Sequence, residues 1–330
     1  MTPVRRNILH FVTGAFVMSA ISPTALAQTY PTRPITLIVP FAAGGPTDVT
    51  ARILANRMTE LLGQQMVVEN IGGAGGMAGV ARIAKAPPNG YQLVIGNSGT
   101  HAYNQTLYKR PLYNAATDFA PVGLTNMAQK VLITRSGLPV NTLREFGTFA
   151  KSHQGEMQYG SGGAGSTSHI SCLLLNSVLG VRITHIPYRG AGPALQDLLG
   201  GRFDFMCESV STALPQIQQK TIKAIAVLSP KRSSVIPNLQ TADEQGLPGF
   251  DVDTWQGLFL PKGVPEAIVR RLNRALNDAI DTPSVRERFE SLGTGLPPPE
   301  HRSPEYLAKL VSSEIEKWAV PIKASGVLMD

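Results

Sequence analysis

Short apolar runs alternate with stretches of helical periodicity along nearly the whole chain. Ile35-Thr36-Leu37-Ile38-Val39 is β-branched and apolar, the pattern of a buried strand. Beyond a turn, Val49, Ile53, Leu54, Met58, Leu61 and Leu62 recur at helical spacing until Gly63. The same reading predicts strands over 35–39, 65–70, 91–97, 130–135, 157–161, 182–187, 203–208, 223–229 and 252–260. It predicts helices over 48–62, 77–86, 142–153, 167–179, 192–199, 211–219, 265–281, 283–292 and 303–325. Strands spaced by helices imply βαβ units, mainly parallel sheets and an α/β fold.

No Pro/Ser/Gly-rich linker divides the chain, so a domain crossover has to run through ordered strands. Two extended stretches are candidates, 121–136 ("PVGLTNMAQKVLITRS") and 223–234 ("KAIAVLSPKRSS"). If both cross, the middle of the chain forms one domain and its two ends together form the other.

The first residues change where the chain is expected to work. Arg5 and Arg6 precede a mostly apolar stretch from Ile8 to Ile21, and Ala25-Leu26-Ala27 follows as an A-x-A cleavage site. That pattern is an export signal over 1–27, too short in its apolar part to span a bilayer comfortably. Loss of the two arginines lowers the formal charge from +7 to +5, a modest balance compatible with an anionic ligand. No basic block interleaved with aromatics occurs, which argues against nucleic acid as a partner. At 43% hydrophobic and 16% charged residues, the chain is long and apolar enough for two compact domains. The two cysteines, Cys172 and Cys207, are either a bridge permitted by an oxidising compartment or two buried thiols. Six scattered histidines without H-x-x-x-H or C-x-x-C spacing offer no metal site.

Four turns share one design, with small or hydroxylated residues between a strand and a helix. They are Ala43-Gly44-Gly45-Pro46-Thr47-Asp48, Gly96-Asn97-Ser98-Gly99-Thr100-His101, the run from Gly160 to His169 ("GSGGAGSTSH"), and Tyr188-Arg189-Gly190-Ala191-Gly192. Glycines allow close backbone approach, and the free N–H groups of the following helix start point at whatever lies there. Hydroxyls of Ser98, Thr100, Ser166 and Thr167 add hydrogen bonds without charge. In open α/β sheets such turns share the carboxyl edge, where crevices form, so the set predicts a small polar anion site. Capping alone explains any single turn equally well. Asp48 reads as a ligand contact or a first-turn acid, and Arg189 as a carboxylate partner or a surface ion pair. Glu208 reads as the orienter of a ligand hydroxyl or ammonium, or as a cap. Phe41 and Tyr188 flank two turns and pack either on a ligand's carbon chain or in the core.

Catalytic and cofactor templates fit poorly. Gly160-x-Gly162-x-x-Gly165 satisfies G-x-G-x-x-G, but the acidic residue a dinucleotide site needs some 20 positions later is missing from "VRITHIPYRG". There is no P-loop, and Ser98 lacks the second glycine of G-x-S-x-G. No cofactor is expected, and nothing here assembles a Ser–His–acid order.

The residues do resemble a known family. "YPTRPITLIVPFAAGGPTDVTAR", "VVENIGGAGGMAG", "APPNGYQLVIGNSGTHAYNQTLY", "YGSGGAGSTSHI", "THIPYRGAGPALQDLLGG" and "TWQGLFLP" are very similar to blocks of the Bug-type substrate-binding receptors of tripartite tricarboxylate transporters. The resemblance implies a periplasmic binding protein of the type II kind. Two Rossmann-like lobes, 28–127 with 229–330 and 128–228, would be joined by crossover strands around a cleft. It implies a monomer that takes a small organic carboxylate to a large and a small integral membrane subunit. By motif, it places Ala43, Gly44, Gly45, Pro46, Thr47, Asp48, Ser98 and Thr100 on one side of the cleft, and Ser161, Gly165, Ser166 and Thr167 on the other.

Two departures bear on the ligand. Cys172 stands near the position of a helix acid common in the family, and Glu208 stands where the family's aspartate is usual. The runner-up readings are a receptor feeding a sensor kinase and a periplasmic hydrolase using Ser98 or Ser166 with a nearby histidine.

Overall fold

The computed structural model describes residues 30–330; the expected export signal lies outside the described residues. The chain opens with β1 (Ile35–Val39), α1 (Pro46–Leu62), β2 (Met66–Asn70), α2 (Met77–Ala84) and β3 (Gln92–Asn97). A π-helical turn (Gly99–Tyr103) runs into the short helix α3 (Asn104–Leu107), followed by β4 (Phe119–Ala128) and β5 (Lys130–Arg135). Next come α4 (Leu143–His153), β6 (Gln158–Ser161), α5 (Thr167–Leu179), β7 (Thr184–Pro187) and α6 (Ala191–Leu199). β8 (Phe205–Ser209), α7 (Val210–Gln218) and β9 (Ile222–Val227) complete the middle of the chain. The last part holds β10 (Thr254–Pro261), α8 (Glu266–Asp281), α9 (Pro283–Ser291), β11 (Thr294–Gly295) and α10 (Pro304–Ala324).

The strands form two sheets, one in the order β11-β4-β10-β3-β1-β2 and one in the order β7-β6-β8-β5-β9. The expectation of mainly parallel sheets needs correction, because both are mixed. β1 pairs parallel with β2 and β3, and β6 with β7 and β8, while β10 and β5 run antiparallel to their neighbours. The reason is connectivity: β4 continues into β5 through Gln129 alone, with no helix to return the chain to the same edge. The stretch 121–136 is therefore two strands, one in each sheet.

Each sheet is covered on both faces, as the apolar runs require. In β1, Ile35, Leu37 and Val39 feed a core shared with α1 and α8 (Leu54, Met58, Leu272, Leu276). Ile38 points the other way, toward Val80 of α2 and Leu307 and Val311 of α10. In β5, Val131 and Ile133 pack with Leu195, Leu198 and Met206, while Leu132 joins Phe146, Leu175 and Phe205 on the opposite face. Trp318 and Ile322 of α10 also belong to that last core, so the end of the chain packs on the second sheet. Burying each such aliphatic side chain contributes roughly 1.5–3 kcal/mol. The open question of the cysteines is resolved as a bridge, with Cys172 of α5 joined to Cys207 of β8 at a Cα–Cα distance of 5.3 Å.

Candidate functional site

The carboxyl end of β1 leads into α1 through a turn held by one side chain. Asp48, 4% exposed, accepts hydrogen bonds from the Gly44 N–H (3.0 Å), Asn70 Nδ2 (2.9 Å) and Arg52 Nε (3.1 Å). Burial alone would raise its pKa, but these donors hold the carboxyl below the usual range. Gly44 sits at φ +83°, a conformation that side chains strongly disfavour, and this brings its N–H back to Asp48. Pro46 then starts α1 at a position whose N–H has no helical partner anyway.

Opposite this turn stand the starts of α5 and α6. Ser166 caps α5, its Oγ accepting from the His169 N–H at 3.3 Å, and Ser168 Oγ accepts from the Gly162 N–H at 3.0 Å. Neither Gly45 before α1 nor Gly190 before α6 supplies a side-chain cap. The three helix starts meet at one small cavity of about 20 Å³, room for little more than a water molecule. Phe41, Gly45, Pro46, Thr47 and Asn97 line it from the first sheet's side, and Gly162, Ser166, Thr167, Ser168, Ala191 and Glu208 from the second's. Asn97 Nδ2 reaches Thr47 Oγ1 at 3.4 Å, linking the end of β3 to the first turn of α1.

The turns of the two sides touch directly around this cavity. The Ala42 N–H donates to the Arg189 carbonyl at 2.9 Å, and the Tyr108 hydroxyl donates to the Ala164 carbonyl at 3.0 Å. A Cβ on Gly72 would lie 2.6 Å from the Arg189 oxygen, and one on Gly99 would lie 2.8 Å from the Gly165 oxygen. Glycine at these positions permits the close approach.

Of the residues expected at the site, Phe41, Gly45, Pro46, Thr47, Ser166, Thr167 and Glu208 line the cavity. Ala43 and Gly44 line a separate groove beside Gly192 and Thr212. The others are placed elsewhere, each with a structural partner. Asp48 clamps its own turn. Ser98 Oγ accepts from the Trp255 N–H (3.0 Å), tying β3 to β10, and Thr100 Oγ1 accepts from the Asn97 N–H (2.9 Å). Ser161 Oγ meets His185 Nε2 at 2.6 Å, and the Gly165 N–H donates to His169 Nδ1 at 3.1 Å. Tyr188 donates its hydroxyl proton to Asp197 Oδ2 at 2.7 Å, and Arg189 has an exposed side chain and contributes its carbonyl. Ser98 and Ser166, the two candidate nucleophiles, have no imidazole nitrogen as a hydrogen-bond partner among the described residues.

Sequence reasoning missed Lys130. It is fully buried at the start of β5, and its Nζ donates to Thr167 Oγ1 (3.0 Å) and Ser209 Oγ (3.1 Å). Burial pushes its pKa down, opposed by Glu208 and Asp253 nearby. Glu208 is shifted the other way: burial raises it, with Lys130 and the Ser209 N–H pulling back. A lysine opening an apolar strand run was the available signal. Asn97 and the "IGGAGG" glycines were quoted in their segments but not named as site residues.

Comparison with known proteins fits this geometry. The family model described as tripartite tricarboxylate transporter family receptor, TctC, matches residues 50–327. The solved structure of MatC from Rhodopseudomonas palustris with bound malate is 42% identical, with a TM-score of 0.87 over 89% of this chain and 100% of that one. The periplasmic binding protein BugD is 38% identical, with a TM-score of 0.89 over 91% and 100% of the two chains. The R. palustris protein Rpa4515 with adipate is 33% identical, with a TM-score of 0.86 over 91% and 100%. These neighbours are two-lobed binding proteins rather than enzymes. The chain thus belongs to the TctC family of tripartite tricarboxylate transporter receptors.

Proposed function

We propose that the chain is an exported receptor that captures a small organic carboxylate between its lobes and delivers it to the membrane subunits of a tripartite tricarboxylate transporter. One observation carries the reading: the starts of α1, α5 and α6 meet at a single cavity. Each helix start favours an anion by about 0.3–1 kcal/mol, up to ~2 when partly buried, so the three together offset a good part of a carboxylate's desolvation. Malate and adipate in the related structures are ligands of this kind.

In this reading the backbone of Gly45, Thr47 and Asp48 receives one carboxylate, and Ser166, Thr167 and Ser168 with the Ala191 N–H receive the other end. Phe41 packs on the carbon chain between them. The lobes are 28–127 with 229–330 and 128–228, hinged where β4 meets β5 and where β9 leads toward β10, with the end of α10 packing across onto the second sheet. Closure brings the Ala42 and Arg189 turns together. Contacts made only in the closed form shift the population toward it. The cavity as it stands is too small for a dicarboxylate, so binding has the two sides sit further apart than here, and short dicarboxylates need the smallest such separation. Cleavage after Ala27 would release the receptor into the periplasm.

The test is thermal unfolding of residues 28–330 against mono-, di- and tricarboxylates. A ligand at about one hundred times its Kd adds about 2.7 kcal/mol of stability. The expected result is a rise of several degrees with short dicarboxylates. Cooperative unfolding at one unchanged temperature with every carboxylate would overturn the reading.

A further inference from the structure

We infer that Glu208 makes the cavity selective for dicarboxylates that bring their own hydrogen-bond donor, a hydroxyl or ammonium on the carbon chain, over the same skeleton without it. The inference rests on the carboxylate reading and adds to it the chemistry of one wall.

Glu208 is the one ionisable residue among those lining the cavity. It is 1% exposed, at the end of β8. Its Oε1 accepts from the Ser209 N–H at 2.8 Å, while its Oε2 has no partner among the described residues. A buried carboxylate oxygen left without a donor is costly, and a ligand that supplies one recovers that cost.

Lys130 accounts for a charge being tolerated there. Its ammonium lies behind the wall, engaged by the hydroxyls of Thr167 and Ser209, and acts on Glu208 through the field without occupying Oε2. The neutral donors of the helix starts serve the ligand's carboxylates. The Glu208 end is different, because a second carboxylate against it would place two like charges together. A hydroxyl or ammonium there donates to Oε2 instead. A site built to hydrogen-bond such a group discriminates strongly against the analogue lacking it.

Succinate, L-malate and L-aspartate share four carbons and two carboxylates and differ only in the C2 substituent, so they isolate this contact. Calorimetric titration of residues 28–330 at pH 7.5 should show malate or aspartate binding at least tenfold more tightly than succinate. In Glu208→Gln the preference for the ammonium ligand should collapse to within about threefold, because the amide has lost the negative charge. The wild-type ratio is decisive even if that variant fails to fold. Succinate binding as tightly as both substituted ligands would overturn the inference and leave the carboxylate reading standing. Failure of all three to bind a cooperatively folded protein would overturn this inference along with the short-dicarboxylate reading beneath it.

Discussion

The Ala42 N–H donates to the carbonyl oxygen of Arg189 across 2.9 Å, which joins the turn after the first strand to a turn of the opposite sheet. Backbone meets backbone there, so no side chain can adjust to an intruding atom. The cleft is closed by main-chain contacts between small residues, and the helix starts that flank them line the cavity. In the proposed mechanism, closure and ligand capture therefore depend on the same few ångströms.

Gly72→Ala tests that dependence. Its Cβ would lie 2.6 Å from the Arg189 oxygen and 3.3 Å from the Ala42 nitrogen, both fixed backbone atoms. Gly72 has no positive φ to lose, so each lobe should fold normally. The Arg189 clash acts only on the closed form, while the Ala42 contact lies within one lobe and asks for a shift of a few tenths of an ångström. Carboxylate affinity should fall tenfold or more, about 1.4 kcal/mol, with little change in the melting temperature of the ligand-free protein. Scattering should show a larger radius of gyration in the presence of ligand than for wild type. Unchanged affinity would mean that the ligand-bound form does not bring these turns together.

The bridge between Cys172 and Cys207 ties α5, which begins at the cavity, to β8, which carries Glu208. Both cysteines are fully buried, so reductant should not reach them before unfolding. Closing a loop of this length typically contributes about 2–4 kcal/mol. The double variant Cys172→Ala/Cys207→Ala should melt roughly 3–6 °C lower. A melting temperature equal to wild type would show that the bridge adds nothing to the native state.

Much of this fold was legible because local signals agreed. The run Ile35–Val39, the helical spacing from Val49 to Leu62 and Gly63 at its end all pointed to one strand–turn–helix unit, and the structure contains it, with α1 starting at Pro46, two residues before the expected 48. β4 was read only as part of a crossover, because Pro121 and Gly123 interrupt its apolar pattern. What holds it is pairing with β10 on one side and β11 on the other, which no local pattern encodes. At the cavity, hydroxyl and glycine content identified the turns but not which side chains face inward. The π-helical turn Gly99–Tyr103 directs Ser98 and Thr100 into structural bonds and leaves Asn97 at the wall. Lys130 was overlooked for a related reason: a lysine opening an apolar strand run was a signal, but its role depends on facing Ser209 across the β5–β8 register.

Ser166 has two functions that one substitution can separate. Its Oγ caps α5 through the His169 N–H, and the residue lines the cavity. Ser166→Ala should cost about 0.5–2 kcal/mol of stability through the lost cap. It should also weaken carboxylate binding by about 1 kcal/mol if the hydroxyl or its helix start touches ligand. Ser166→Asp restores the cap acceptor but brings a negative charge to the wall. That variant should recover stability while losing carboxylate binding almost completely. Full binding by the aspartate variant would place the ligand away from α5.

His101 governs how the protein responds to acid. It is fully buried, its ring stacks on Phe259 at 3.8 Å, and Nδ1 meets Thr100 Oγ1 at 2.9 Å. Burial holds the imidazole down to about 3. The unfolded chain, with an ordinary histidine near 6.5, binds a proton that the folded chain refuses. Stability from this group is thus fully present above pH ~6.5 and is lost as the pH falls toward 3, by up to ~1.4 kcal/mol per unit. His169, held down to about 3 by burial and by His185, and His185, held down to about 4 by burial, act in the same direction. Asp253 opposes them: burial raises it to about 6, so its contribution is lost as the pH rises through that value. Glu208, also raised by burial, opposes them too; the three large downward histidine shifts against these two predict a melting temperature that falls from pH 6.5 to 4.5. His101→Phe keeps a ring against Phe259 and removes the proton site, so its curve should be shallower by up to ~1.4 kcal/mol per unit over that window. Parallel curves for the variant and wild type would show that His101 does not resist protonation in the fold.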